Sequence, residues 1–280
     1  MTILVTGAAG FVGTALCRRL QGKGHDVSRL SSQDQDIASP FQLPGSFDCA
    51  IHLAAHNITN VGEKDAAAYA RVNVQGTENV LKAVRAKRFI FLSTVKVYKN
   101  EGRPLTEDSP VAPAGAYEQS KWEAEETCRK YFKGEGLVIL RSANVLGWGQ
   151  APKAVVPVFF GKAMKNEALD IMVCGRSPLQ FVAIDDIVDT FEAVLSHPQA
   201  QGIFNIAHRE IATVEELAAK IVALTGSSSK INIRDRAEIA VAAVVCEKAR
   251  KELGWSAKTG LDQILKDYHA QAVQALSIRN

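Results

Sequence analysis

The chain has no stretch of about eighteen or more consecutive apolar residues, so no membrane span is expected. It has no run of basic residues either, and a net charge of +3 spread over 280 residues leaves no footprint for nucleic acid. No CxxC spacing occurs among Cys17, Cys49, Cys128, Cys174 and Cys246, which read as reduced structural thiols of a cytoplasmic protein. His52 and His56 stand four apart but straddle the end of an expected strand. No cysteine or carboxylate cluster joins them, so no metal site is expected. The opening Met1-Thr2-Ile3-Leu4-Val5 lacks the charged leader and long apolar core of a signal peptide. Neither an internal repeat nor a low-complexity tract is present. What is there is ordinary globular composition, 47% hydrophobic and 22% charged, in a chain long enough for a full α/β core and a smaller lobe.

The first element is short and apolar, Ile3 to Val5, followed by glycines and then by Phe11, Ala15, Leu16 and Leu20 at helical spacing. This reads as strand, turn, helix. Asp26 to Leu30 and Cys49 to Leu53 read as further strands, and Ala66 to Val84 as one long helix. Phe89 to Ser93 is nearly continuously apolar, as expected where both faces of a parallel sheet are covered. Tyr117 to Phe132 reads as a helix and Leu137 to Leu140 as a strand. The alternation predicts an α/β fold with a doubly wound parallel sheet of Rossmann type. Beyond about residue 150 short strands (Ile171 to Val173, Gln180 to Ile184, Ile203 to Ile206) alternate with helices near 155–165, 187–195 and 214–224. The loop from Lys99 to Ala114, with three prolines and one glycine, is expected to form a mobile flap.

Two motifs carry chemistry. Gly7-x-x-Gly10-x-x-Gly13 follows the first strand and opens a helix, with Phe11 and Val12 inside it. Glycines permit a tight turn and close backbone approach, and the helix N-terminus offers N–H groups to a pyrophosphate. About a hundred residues later come Tyr117 and Lys121, four apart and therefore on one face of a helix. At roughly 5 Å and an effective dielectric near 20, an ammonium favours a phenolate by on the order of 3 kcal/mol, or about two pKa units. Such a pair can move a proton at a carbinol while a cofactor moves the hydride, so the chain reads as an oxidoreductase-type enzyme.

At the end of the second strand, where an NAD site presents a carboxylate to the ribose, stand Ser31 or Ser32, with Arg29 just before. This leans the cofactor from NAD towards NADP. Asp34 or Asp36 swinging in would reverse the preference, and Asp36-Ile37 is expected beside the adenine. Residues 1–150 are expected to form the dinucleotide-binding domain, with segments at roughly 180–207 returning to it. Residues 151–280 would then supply mainly a smaller C-terminal substrate-binding lobe.

Further motifs occur in order: His52-Leu53-Ala54-Ala55, Asn73-Val74-Gln75-Gly76-Thr77, Leu92-Ser93-Thr94-Val95-Lys96-Val97-Tyr98, Arg141 to Gly147, Phe181 to Asp186, and Glu252-Leu253-Gly254-Trp255. Together they resemble an extended short-chain dehydrogenase/reductase of the NAD-dependent epimerase/dehydratase family, which works on nucleotide sugars. The resemblance implies Tyr117 as acid/base, and Lys121 holding the nicotinamide ribose and lowering the tyrosine pKa. It puts the catalytic hydroxyl on Thr94, with Ser93 the alternative, and Leu53, Ala54 and Ala55 along the cofactor. Asn73 would support the active-site helix, and Asn144 would lie between nicotinamide and substrate diphosphate. Arg236 fits a diphosphate-binding arginine. The other expected arginine position holds Leu179, Arg176 being the nearest. Asp185 and Asp186 read as helix-capping residues.

In the family's 4,6-dehydratases the catalytic threonine is followed by Asp-Glu. Here Val95-Lys96 follows, which argues against dehydration and leaves Lys96 to pair with an acid or reach the substrate. The function expected is therefore hydride transfer at a ring carbon of a nucleotide sugar, as a 4-epimerase or a 4-keto reductase. The alternatives are a reductase or dehydrogenase of a non-nucleotide compound, favoured by Leu179, and a non-catalytic NADP-sensing protein. The resemblance also implies a homodimer through the helices 66–84 and 117–132.

Overall fold

Strand β1 (Thr2–Thr6) forms because a β-branched, apolar pentapeptide can be buried on both faces, and Ile3, Leu4 and Val5 are all inaccessible. It lies near the middle of a six-stranded, wholly parallel sheet in a computed structural model that describes residues 1–57, 66–133, 135–171, 178–234 and 242–277. The other members are β2 (Asp26–Leu30), β3 (Phe47–His52), β4 (Ala86–Thr94), β5 (Leu137–Ser142) and, after a long excursion, β9 (Gly202–Ile206). Their order is β2-β1-β3-β4-β5-β9. The direction of winding reverses between β1 and β3, and in such sheets ligands lie at that crevice, outside the strands' carboxyl ends.

Helix α1 (Phe11–Gly22) covers one face and packs on α6 (Ile184–Ser196), with Leu16, Cys17, Leu20, Val188, Phe191 and Val194 in one buried cluster. The opposite face carries the segment from 66 to 83 and α4 (Ala116–Tyr131). The segment at 66–83 is not the single α-helix that its periodicity predicts. It is α2 (Ala66–Tyr69), a π-helical stretch Ala70–Gln75, then α3 (Gly76–Ala83). A π turn admits an extra residue and marks functional sites more often than chance. Here it turns Asn73 inward.

The rest of the chain builds a second core. Strand β6 (Asn144–Leu146) pairs with β8 (Pro178–Ala183), which pairs antiparallel with β10 (Ile211–Thr213). β7 (Leu169–Ile171) pairs with β11 (Ile231–Ile233). Helices α5 (Val155–Ala163), α7 (Val214–Thr225) and α9 (Leu261–Ser277) close over Phe160, Phe181, Leu217 and Ile221. α8 (Glu247–Leu253) returns to the large sheet through Leu253 and Trp255. Ile184 opens α6 rather than closing the strand expected at 180–184; of the strand expected at 171–173, Ile171 ends β7 and residues 172–173 lie outside the described residues. The 99–114 loop, expected as a mobile flap, is closed at its base by a bridge of Tyr98 with Val111 and held at its middle by a bridge of Leu105 with Val244. Among the described residues no helix is long and apolar enough to cross a membrane.

Candidate active site

The glycine turn is sterically obligatory. Gly7 has φ +68°, and a Cβ there would stand 2.6 Å from the backbone nitrogen of Ala54. A Cβ at Gly13 would stand 2.1 Å from the Gly7 carbonyl oxygen. The turn, the start of α1 and the residues after β3 are therefore in backbone contact, through Leu53 and Ala54. Helix α1 begins at Gly10 with no side-chain cap, so its first N–H groups are left for an anion. The Phe11 ring faces Gly147 and Gly149, and Val12 joins the sheet core.

At the carboxyl end of β4, Thr94 is nearly buried, and its hydroxyl accepts the Lys96 N–H at 3.3 Å. That bond occupies a lone pair and leaves the hydroxyl proton to donate elsewhere. Ser93, one residue earlier, donates at 2.5 Å to the buried carboxylate of Glu125. Lys121 faces β4 from α4, and Tyr117 lies one turn before it on the same helix. The Lys121 ammonium is buried 4.1 Å from the centre of the Phe91 ring. The half-buried Tyr117 meets the edge of Tyr69 at 5.7 Å. Asn73 holds the helix in place. Its Nδ2 donates to Ser120 Oγ (2.9 Å) and to the His56 carbonyl (3.1 Å), its Oδ1 accepts the His56 N–H (2.7 Å), and Ser120 Oγ donates to the Tyr117 carbonyl (2.7 Å).

The charges differ from the sequence-based expectation. Burial raises the Tyr117 pKa above its ordinary value, and the neighbouring Glu118 and Tyr69 add to the rise. Lys121 does not offset this: its own pKa is lowered by burial to about 8, with Cys128 and Glu125 acting in the opposite sense. Desolvation of the phenolate thus outweighs an ammonium that is engaged with Phe91. In this state Tyr117 is a neutral acid, able to donate a proton to an alkoxide.

Thr94 ends β4, Tyr117 and Lys121 lie on the helix packed against it, and the glycine turn follows β1 in the same sheet; comparisons with known proteins agree with that arrangement. Residues 3–207 match the model of the NAD dependent epimerase/dehydratase family. The chain belongs to that family. A dTDP-D-glucose 4,6-dehydratase of Dictyostelium discoideum is 26% identical over 79% of this chain and 61% of its own length. A trifunctional UDP-glucose 4,6-dehydratase, UDP-4-keto-6-deoxy-D-glucose 3,5-epimerase and UDP-4-keto-L-rhamnose reductase of Arabidopsis thaliana is 25% identical over 96% and 47%. The chain spans about half to three fifths of the length of these two relatives. The crystal structure of UDP-glucuronic acid 4-epimerase from Bacillus cereus in complex with NAD superposes with a TM-score of 0.86. It is 25% identical and covers 98% and 99% of the two chains.

The family's cofactor fits the cradle: a backbone-lined turn without room for a Cβ, at an uncapped helix start. Arg29 on β2 reaches across to the Ala8 carbonyl at 3.4 Å. The Ser31 N–H and hydroxyl both donate to Asp34, at 2.8 and 2.6 Å, which holds that carboxyl below its ordinary pKa. Asp34 has therefore swung in beside Ser31, the alternative that weighs against NADP. Ser32 is exposed. Asp36 pairs with Arg71 at 3.1 Å, and the buried Ile37 packs on Gly76.

Asn144 lies at the start of β6 and donates to the Gln180 carbonyl at 3.1 Å. Lys96 is exposed. Arg176 and Arg236 lie outside the described residues. Asp186 is not a side-chain helix cap: buried, it accepts the N–H groups of Lys258 (3.1 Å) and Thr259 (2.9 Å). Sequence reasoning missed Glu125. The signal was there, since Tyr117, Lys121 and Glu125 repeat every four residues along one face of α4.

Proposed function

We propose that the enzyme transfers hydride at a ring carbon of a nucleotide sugar, as a 4-epimerase or a 4-keto reductase. What supports this reading is Thr94 at the carboxyl end of β4, with Tyr117 and Lys121 on α4, the helix packed against that strand, and the glycine turn following β1 of the same sheet. In this reading bound nicotinamide supplies or takes the hydride. Tyr117 passes a proton to or from the sugar oxygen, the Thr94 hydroxyl donates to the same oxygen, and Lys121 holds the ribose and balances developing negative charge. Asn144, Lys96, Arg176 and Arg236 are assigned to the substrate. The names of the relatives support a sugar-nucleotide substrate, and Val95-Lys96 beside Thr94 supplies no carboxylate for removal of water.

The cofactor proposed is NAD or NADP: Arg29 favours NADP, and Asp34, hydrogen-bonded to Ser31, favours NAD. Asp34→Asn should shift the ratio of NADPH to NADH affinity towards NADPH, and an unchanged ratio would show that Asp34 does not face the ribose. The enzyme is proposed to act in the cytoplasm, where the free thiols of Cys17, Cys49, Cys128 and Cys246 persist. It is proposed to form a homodimer through the adjacent α3 and α4.

Incubation with UDP- and dTDP-sugars and their 4-keto forms tests the reaction. Net oxidation of NADPH marks a reductase, and an altered C4 configuration without net oxidation marks an epimerase. Tyr117→Phe should lower kcat by about 10²–10⁴-fold with cofactor affinity kept, and full activity in that variant refutes the assignment. A second reading, a carbonyl reductase of non-nucleotide compounds, is favoured by Leu179 standing where a diphosphate-binding arginine was expected. It requires that UDP and dTDP produce no thermal shift.

A further inference from the structure

Glu125 is wholly inaccessible, yet it takes no direct part in the chemistry above. Its Oε1 accepts from Ser93 Oγ at 2.5 Å and from Arg141 Nε at 3.0 Å. Its Oε2 accepts from Arg141 Nη2 at 2.6 Å and from Arg129 Nη2 at 3.1 Å. Arg141 is itself 1% exposed, reaches from β5, and lies 4.6 Å from the centre of the Tyr98 ring. A buried ion pair of this kind adds little stability over well-packed apolar residues, because desolvating two charges consumes most of their attraction. What the pair does add is geometry. A forked guanidinium fixes the carboxylate plane, and the fixed carboxylate holds the residue immediately before Thr94.

We propose that Glu125 is a positioning residue: clamped by Arg141, it ties the Ser93–Thr94 end of β4 to the Tyr117/Lys121 face of α4 and keeps Lys121 charged. Both halves follow from placement. Ser93 and Thr94 are adjacent, so the tie sets how far the Thr94 hydroxyl stands from the tyrosine. Lys121 and Glu125 are one helical turn apart on one face, where a carboxylate favours an ammonium. Lys121 has Cys128 and Arg129 beside Glu125 on its own helix, and Phe91 on β4 against its ammonium. The His52 imidazole lies across on β3, neutral, with its pKa lowered by burial to about 3, and Tyr98, whose pKa burial raises to about 12, lies beyond Arg141. Glu125 is the carboxylate of this set. The assignment also explains why Ser93 is not the catalytic hydroxyl: its proton is already committed.

The first measurement needs neither cofactor nor substrate, so its outcome is independent of the proposed reaction. In protein labelled with ¹³Cε-lysine, the Lys121 resonance, assigned through Lys121→Arg, is titrated from pH 6 to 10. The wild type should titrate near 8, Glu125→Gln about one pH unit lower, and Glu125→Asp and Ser93→Ala near the wild type. The second measurement is turnover, which rests on the proposed function. Ser93→Ala should lower kcat about ten-fold with KM and the thermal midpoint little changed, and Glu125→Asp should retain more kcat than Glu125→Gln. An unmoved Lys121 titration in Glu125→Gln overturns the electrostatic half. Wild-type kcat in Ser93→Ala overturns the tie. If Glu125→Gln does not fold, the Asp and Ala variants decide. A wild-type enzyme that turns over no nucleotide sugar sinks the proposed function instead, and leaves the titration to judge Glu125.

Discussion

His52 shows how completely one buried side chain can be specified. Thr77 Oγ1 donates to the Asn73 carbonyl at 2.6 Å, so toward His52 Nε2, at 2.9 Å, it can only accept. Nε2 therefore carries the proton, and Nδ1 accepts from Thr6 Oγ1 at 2.6 Å, which in turn accepts the Ala54 N–H at 3.3 Å. Burial lowers the imidazole pKa from 6.5 to about 3. Between those values the unfolded chain binds the proton and the folded one does not. The resulting stability is complete above pH 6.5 and is lost progressively as pH falls toward 3. From pH 7 to 4.5 urea unfolding of the wild type should lose about 2–3 kcal/mol more than that of His52→Gln. Parallel pH dependences would contradict the wiring. The sequence displayed His52 and His56 only as a pair four apart, because the threonines that consume His52 come from β1 and α3, 46 and 25 residues away.

At the scale of elements, most of the fold was legible because its elements are locally determined. The strand–glycine–helix opening, the apolar β4 and the Tyr117 helix all follow from periodicity and steric need. The π stretch Ala70–Gln75 was not, since an inserted residue leaves the apolar pattern on either side nearly intact. Its purpose becomes visible only through Asn73, whose partners His56 and Ser120 lie 17 and 47 residues away. Both ends of its carboxamide are engaged, so Asn73→Asp, which replaces a donor by an acceptor facing the His56 carbonyl, should fare no better than Asn73→Ala. Each should lower stability by about 2–4 kcal/mol in thermal unfolding. An aspartate variant of wild-type stability would show the amide orientation to be reversed. The Glu125–Arg141 pair escaped for a similar reason. Helical spacing exposes the carboxylate, but only the packing of β5 beside β4 supplies the guanidinium.

For the whole molecule, two buried or half-buried carboxylates, Asp186 and Glu210, hold the segment that leads into the C-terminal helix. Asp186, in the first turn of α6, accepts two N–H groups from Lys258 and Thr259, while its carbonyl accepts the Trp255 indole N–H at 3.1 Å. Glu210 then accepts the Leu261 N–H at the start of α9. Asp186→Asn keeps one acceptor and should lower stability by about 1–2 kcal/mol. Limited proteolysis followed by mass spectrometry should show cleavage near residues 256–260 before any cut in the sheet. Uniform digestion would mean that the anchor lies elsewhere.

β9 enters the large sheet beside β5 only after the chain has gone out to β6, α5, β8 and α6. Arg88 on β4 likewise donates to the carbonyls of Val194, His197 and Ala200. On the ribosome, the six-stranded sheet therefore cannot finish folding until residue 206 has emerged. Any fragment ending near residue 150 would carry the bare flank of β5 as an open template for aggregation.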